Sequence, residues 1–465
     1  MIGKRKRHRS DALKIAWLLL GVCCASSLAS AAEWSAASTL IQSHGRLAIG
    51  RQVHVVGHNG GDLVHRTSTD GGASWSAAST IASASDNYPM MYGGFVGVGD
   101  TLYLLTAAGD MGGGPKHLDF RKSEDNGASW TSRVRITGAG EEIFRARIVV
   151  SGSYVHVGGQ GAPTPQGSMW YFRSVDGGAS WENGRKLAEN LGGYGGGQTI
   201  AVDQKVVHLA YTSATNGVGG GPTYYLRSGD HGSTWSPPVA IGEESAESPR
   251  QARVQLVAAD GHVFAAWQRE GLFTGAELPP DRLGYNRSED GGLTWGVAQI
   301  LPGDAGINRN HQAIWMTSGG GVHICWRHGN TTSDPTGYMF SPDYGQTWSK
   351  RQLALDTNEV NHPYTVVADE KTVHVLAGPQ GAMKYAYGRL PNVIITHAVM
   401  VGDQVDLRWQ SNQTGGVYTV QARADLSAEW SAVAPTNQWP KADTVWTNSV
   451  PFGKREYFRI RAEEK

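Results

Sequence analysis

The sequence predicts an all-β protein, a seven-bladed β-propeller followed by a small C-terminal β-sandwich. Three observations carry this expectation. The pattern Ser-x-Asp-x-Gly-x-x-Trp occurs six times, at intervals of 55, 51, 54, 60 and 53 residues. A strand of the type Val-His-Val recurs in step with it and once more after the last copy. Glycine makes up 62 of 465 residues, well above the usual share of about 7%, beside 16 Trp and 17 Tyr. That composition suits many short strands joined by tight turns. A fixed period near 50 residues in strand-rich units is the mark of propeller blades.

The chain opens with a basic run, Lys4, Arg5, Lys6, Arg7 and Arg9. An apolar stretch follows from Ile15 to Ala25, then Ala29-Ser30-Ala31. This is the layout of a secretory signal cleaved near Ala31, and the apolar run is short of the ~20 residues of a membrane span. Residues 1–31 are therefore set apart as a signal peptide, and the mature protein is expected outside the cytoplasm, without a membrane span. The segment holds six Lys/Arg and one Asp. From 41 basic and 41 acidic residues, its removal leaves 35 and 40, a net of −5. The absence of a basic excess argues against nucleic acid as a partner. Cys23 and Cys24 leave with the signal, so no internal disulfide can form, and Cys325 in His323-Ile-Cys-Trp326 reads as a small core residue.

The six stamps begin at Ser68, Ser123, Ser174, Ser228, Ser288 and Ser341. Each reads as a hairpin turn: the Asp accepts turn N–H groups, the Gly supplies positive φ and the Trp packs below. One Asp per turn with no second carboxylate makes a poor cation site, so neither metal nor other cofactor is expected. The Val-His landmark stands at His54, His156, His208, His323 and His374, with Leu102-Tyr103 in blade two and His262-Val263 in blade five. That gives seven units over residues 32–390, the last unstamped. Trp34-Ser-Ala-Ala-Ser-Thr-Leu-Ile41 nearly copies Trp75-Ser-Ala-Ala-Ser-Thr-Ile81. The mature N-terminus is thus expected to supply the outer strand of blade seven and remove an exposed sheet edge. Residues 391–465 alternate apolar and polar positions and read as a separate module resembling fibronectin-like domains.

The Ser-x-Asp-x-Gly-x-x-Trp motif resembles the Asp-box, or BNR repeat, of the sialidase superfamily. That resemblance covers residues 34–390 and implies a propeller. It also implies an Arg triad for a carboxylate, a Tyr nucleophile with a Glu partner, and an Asp acid/base, an exception to the usual two-carboxylate scheme. Phe144-Arg145-Ala146-Arg147 keeps half of the family's first Arg motif, and Tyr364-Thr365 is similar to its Tyr-Ser pair. The family's Asp one strand after the first Arg is replaced by Gly158-Gly-Gln-Gly161; Asp110 holds the analogous place in blade two.

Strand order places the stamped turns on one face, and the starts of the inner strands with the loops after the second strands on the other. Those loops, Ala108–Pro115, Gly161–Ser168, Thr212–Thr223, Gln268–Asp281 and Arg327–Thr336, vary most, as ligand loops on a rigid scaffold do. A residue present in every blade serves the scaffold; a site must break the repeat. The repeated histidines are therefore assigned to the scaffold. Arg145, Arg253, Arg309, His311, His362, Tyr364, Asp110, Glu270 and Arg327 break the pattern and are expected around one channel mouth. Arginines pair bidentately with carboxylate or sulfate, and His and Tyr suit proton transfer.

Three functions remain open on these residues. A sialidase-type, retaining exo-glycosidase would use Arg145, Arg253 and Arg309 on the carboxylate, Tyr364 as nucleophile, Glu270 as base and Asp110 as acid. A polysaccharide lyase would use Arg to neutralise a uronate and His311, His362 and Tyr364 to carry protons. A non-catalytic glycan-binding or surface-scaffold propeller needs only a polar mouth. In each the partner is an acidic glycan and the protein is expected as a monomer.

Overall fold

A computed structural model describes residues 32–84, 89–90, 93–108, 117–138, 141–161, 166–192, 198–215, 218–242, 250–270, 282–302, 309–328, 335–355, 363–378, 381–390 and, further on, 393–401, 404–411, 417–423, 431–432, 445–449 and 457–463. Two units separate, one of them spanning Trp34–Gly388. It is built of antiparallel sheets arranged as seven blades. The inner strands are Ser43–Ile49, Phe95–Val98, Ile143–Ser151, Gln198–Asp203, Arg250–Ala259, Arg309–Met316 and Pro363–Ala368. Each is followed by a second and third strand in hairpin register, and a short outer strand completes the sheet. Blades three and four are joined edge to edge through Leu191 and Ser213. The second unit contains strands in two three-stranded sheets, one of Val393–Val401, Gln404–Ser411 and Val445–Ser449, the other of Ser431–Ala432, Val417–Arg423 and Tyr457–Glu463. No helix among the described residues is long and apolar enough to cross a membrane.

The stamped turn is a closed hydrogen-bond circuit. In blade three, Ser174 Oγ and the Ser180 amide donate to Asp176 Oδ1 at 2.7 and 2.8 Å, Ser180 Oγ donates to Oδ2 at 2.5 Å, and the Gly178 amide donates to Ser174 Oγ at 2.8 Å. The bonds from Ser180 and Ser174 hold the Asp176 carboxyl down to about 2. The turn also ties to the turn between the first and second strands: the Gly177 amide donates to Ser153 O at 2.7 Å, and His231 does the same to Lys205 O at 2.9 Å. Stamps and these inner turns therefore share one face of the ring.

What lies beneath each stamp belongs to the preceding blade. A Cβ on Gly232 would stand 1.8 Å from the Tyr171 hydroxyl, so only glycine fits, at a φ of +79° that glycine alone adopts freely. Trp235 meets the same Tyr171 edge to face at 4.9 Å, and Trp295 meets Tyr225 at 4.8 Å. These tyrosines donate to or accept from the landmark histidines: His156 Nδ1 to Tyr171 at 2.7 Å, His208 to Tyr225 at 2.6 Å, His323 to Tyr338 at 2.9 Å and His374 to Tyr385 at 2.8 Å. Blade one substitutes His65 for the tyrosine. In blade five the strand register sets Phe264 opposite Arg287 as His156 stands opposite Arg173, so Phe264 is the landmark. His262 lies beside the turn instead and stacks on Tyr344 at 3.7 Å.

Blade seven has no stamp to cover Tyr338 of blade six. Trp34 takes that place, edge to face at 5.0 Å and 82°. The following strand Ser38–Ile41 pairs with Met383–Arg389, Ser38 opposite Tyr385. The copied segment therefore closes the ring as its likeness to residues 75–81 predicts.

Two outcomes are expected. Trp34→Ala should lower the unfolding free energy in urea by roughly 2–4 kcal/mol, the range of a large aromatic lost from a packed site. An unchanged midpoint would rule out the closure role. The pH dependence is set mainly by the landmark histidines. Burial pushes His156, His208 and His323 down to about 3 and His54 and His374 to about 4. The unfolded chain binds protons on them from about pH 6.5 downward while the folded chain does not, so stability is full above that pH and falls as pH drops toward 4. His208→Phe, the residue type blade five already uses, should flatten that slope in urea titrations run across pH.

Candidate functional site

On the face opposite the stamps, the inner strands share one irregularity. In blade three Phe144 pairs with Gln160 and Arg147 with Gly158, so Arg145 and Ala146 together oppose Gly159. Blade five repeats this: Arg253 and Val254 oppose Trp267. In blade six His311 and Gln312 oppose Trp326, and in blade one His44 and Gly45 oppose Gly57. In blade seven Tyr364 is the extra residue between the pairs Pro363–Ala377 and Thr365–Leu376. A β-bulge re-aims side chains and interrupts pairing, and bulges gather beside active sites. Four blades thus place His44, Arg145, Arg253 and His311 first in the bulge; in blade seven Pro363 holds that position and Tyr364 is the second bulge residue.

The backbone at this position is unusual where it is described. His44 and Arg253 both have φ of +55°, a left-handed conformation uncommon for residues with a Cβ. In blade five the neighbouring blade supports it. Gln312 Nε2 donates to Arg253 O at 2.5 Å and to Ala266 O at 3.2 Å. Gln312 and Val254 are buried, whereas Arg253 is exposed. His44 is half-buried, edge to face with His58 at 6.0 Å. Burial first, then the charges of His58 and Arg46, lower its pKa, so His44 is a neutral imidazole at pH 7.

Directly after the two bulge residues the chain regains its register, and every blade contributes to a ring. Arg46, Gly94, Arg147, Thr199, Gln255, Ala313 and Thr365 stand at this level and line a central channel of about 310 Å³. Below them the lining turns apolar, with Leu47, Ile148, Leu256 and Ile314. The mouth is polar and the shaft is not.

The expected residues distribute as follows. Arg145, Arg253, His311 and Tyr364 occupy the bulge. Arg309 lies two residues earlier, opposite His328, and Glu270 ends the second strand of blade five opposite Arg250. Arg327 is half-buried opposite Asn310. All of these belong to the same end of the ring. Asp110 and His362 lie outside the described residues, as does most of each of the loops Ala108–Pro115, Gln268–Asp281 and Arg327–Thr336. Sequence reasoning missed His44, Arg46 and Gln312. Counting back from the landmark finds Arg145 and Arg253 at eleven residues but His44 at ten and His311 at twelve, because the intervening turns differ in length. Among the described residues no three His, Cys, Asp or Glu gather as a metal site.

No protein-family model matches the chain. No curated protein matches it either. Among solved structures, the GH93 α-L-arabinofuranosidase of Fusarium graminearum with arabinobiose is similar at 14% identity, covering 62% of this chain and 89% of its own, with a TM-score of 0.45. A PL25 ulvan lyase bound to -[GlcA(1-4)Rha3S]- is similar at 12% identity over 69% and 83% of the two chains, TM-score 0.42. A Hadza microbial sialidase is similar at 16% identity over 65% and 64%, TM-score 0.39. The structure itself defines the class: a seven-bladed propeller with a polar, arginine-bearing mouth.

The left-handed bulge makes a stability prediction. Arg253→Gly should leave the urea midpoint unchanged or raise it, within about 1 kcal/mol, because glycine takes this φ without strain. Arg253→Val should lower it. Equal effects of the two would show that the backbone conformation carries no cost.

Proposed function

We propose that this chain is an exported, monomeric carbohydrate-active propeller that takes acidic glycans, bearing sialic acid or uronate, at the channel mouth opposite the stamps. The observation that carries the reading is the shared bulge. Structural residues repeat from blade to blade, yet the bulge carries Arg, Arg, His and His as its first residue in four blades and Tyr364 as its second residue in blade seven. Guanidinium groups at Arg145 and Arg253, with Arg309 and Arg327 on the same end, suit a carboxylate through paired hydrogen bonds. Arg46 and Arg147 in the ring below add positive charge at the channel entrance.

Hydrolysis of the sialidase type would assign Tyr364 as nucleophile, Glu270 as its base and Asp110 as acid. A second reading is favoured by a specific observation: His311 and Tyr364 occupy equivalent bulges in adjacent blades. A base and an acid side by side over an arginine-neutralised uronate are what a lyase needs, with His311 or His362 removing the proton α to the carboxylate and Tyr364 donating one to the leaving oxygen. The two chemistries differ in product. Hydrolysis releases free sialic acid, and elimination creates an unsaturated uronate that absorbs in the ultraviolet.

The test is calorimetric titration with sialyllactose and with tetragalacturonate, followed by assay of both products. Arg253→Ala should weaken binding by on the order of 1.5–3 kcal/mol, the worth of a charged hydrogen bond. Tyr364→Phe should spare binding and abolish turnover. Binding that persists while neither product forms would make the propeller a glycan-binding scaffold; no binding of either sugar would end the reading of the mouth.

A further inference from the structure

Blade two breaks the repeat a second time, on its flank rather than at the mouth. Four residues before each stamp serine, the third strand carries Val64, Trp170, Tyr224, Gly284 or Gly337 in five blades. Blade two carries Asp119 there, and its side chain is only 1% exposed. Burying a carboxylate where the other blades place apolar or small residues is costly unless charged partners surround it.

The partners are three arginines and a histidine. Along the third strand of blade two (His117–Ser123), His117, Asp119 and Arg121 alternate on one side, while Leu118 and Phe120 enter the core shared with blade three. Arg135 of the outer strand Val134–Arg135 stands opposite Asp119. His117 Nε2 lies 3.4 Å and Arg133 Nη1 3.6 Å from Asp119 Oδ2. Burial works against the Asp119 charge; His117, Arg133, Arg121 and Arg135 all act in its favour. Burial also lowers the His117 pKa, opposed by Asp119 and assisted by Arg135 and Arg133. One buried carboxylate therefore gathers three guanidinium groups and an imidazole on the flank of a single blade. Arg133 remains 40% exposed.

We propose that this cluster is an oxyanion site, in which Arg133 and Arg135, held in place around Asp119, receive sulfate or carboxylate groups of an acidic polysaccharide. That the anion belongs to a glycan rests on the reading of the mouth; the anion site itself does not. Asp119 acts here as the buried anchor that fixes the direction of the arginines, and the forked donors of arginine select planar or tetrahedral oxyanions. A long chain engaged at the mouth and again on the flank of blade two would gain affinity from the second contact.

The experiment measures affinity for dextran sulfate and for polygalacturonate, using the full mature chain. The Arg133→Ala/Arg135→Ala double variant should lose tenfold or more in affinity and show a weaker dependence on salt. The Arg133→Lys/Arg135→Lys variant should retain only part of the binding, because the fork is lost and the charge kept. Arg351→Ala is the control: this arginine follows the blade-six stamp at the spacing of Arg133, in a blade that carries Gly337 where blade two carries Asp119, and its replacement should leave binding unchanged. Removing two charges beside a buried carboxylate should lower the melting temperature of the double Ala variant, so affinity is read well below that temperature, and sialyllactose binding at the mouth should stay as it is. The site is overturned if the double Ala variant binds like the wild type, if the Lys variant is indistinguishable from it, or if the wild type binds neither polymer. Displacement by inorganic sulfate as efficient, per sulfate, as by the sulfated polymer would overturn the polysaccharide assignment in favour of a free ion. Retention of duplex DNA through the same two arginines would overturn it in favour of nucleic acid. Dextran sulfate bound through Arg133 and Arg135 by a protein that ignores sialyllactose and tetragalacturonate would sustain the flank site and remove the mouth.

Discussion

The ring depends on one repeated contact, the stamp of each blade seated on the aromatic residue of the blade before it. The glycine lets the turn descend onto the tyrosine hydroxyl, and the tryptophan covers the ring edge to face. Such a contact makes each blade the lid of its neighbour. A blade alone would leave its tyrosine and landmark histidine exposed to water, and only a closed ring covers them all. Six stamps cannot close seven blades, which is why the chain sets Trp34 and the strand behind it in the seventh place. The aromatic partner itself varies. Tyr171 and Tyr225 serve two blades, Phe120 and His65 serve others, and the stamp accepts each because it reads shape and an aromatic face rather than a particular hydroxyl.

This contact lies on one face and leaves the other unconstrained. On the stamped face the stamps of blades two to six are tied by backbone bonds to the inner turns of their own blades, and the aspartates are committed to their own hydrogen-bond circuits. Nothing there is available to vary without loosening the ring. At the opposite end the inner strands have left the regular ladder at the bulge, and the residues there answer to no shared partner. The scaffold can then carry arginine in one blade and tyrosine in another at equal cost to closure. Gln312 shows what that freedom requires locally: where Arg253 adopts a left-handed backbone, an amide from the next blade holds its carbonyl.

The architecture was legible because its signals are periodic. Ser174, Asp176, Gly178 and Trp181 mean little singly and much when repeated at a constant interval, and the copy of residues 75–81 at 34–41 revealed how the ring closes. The mouth was legible only in part, since a site is by nature a departure from the period. Arg145 and Arg253 stood out because their spacing to the landmark is the same. His44 escaped because the turn between it and His54 is one residue shorter, and a bulge itself leaves no mark in composition. His262 was misaligned for a related reason: a histidine beside the right strand looks like the landmark, although the spacing from Arg253 already points to Phe264, and the pairing of Phe264 with Arg287 bears that out.

The flank of blade two follows the same logic from the other direction. Asp119 breaks the repeat in a place where the repeat is apolar, so its presence opposes the scaffold instead of merely being tolerated by it. At the mouth, polar residues sit where strands end and water is near, and their cost is small. On the flank a carboxylate sits almost fully buried among Arg121, Arg133, Arg135 and His117, and these groups offset only part of its desolvation, so burial leaves its pKa raised. The cations in turn are drawn together by a single opposite charge, and their mutual repulsion falls when a further anion joins them. A scaffold has no use for such a group. The repeat is thus broken in two places in this ring, at little cost around one mouth and at a real cost to folding beside one blade.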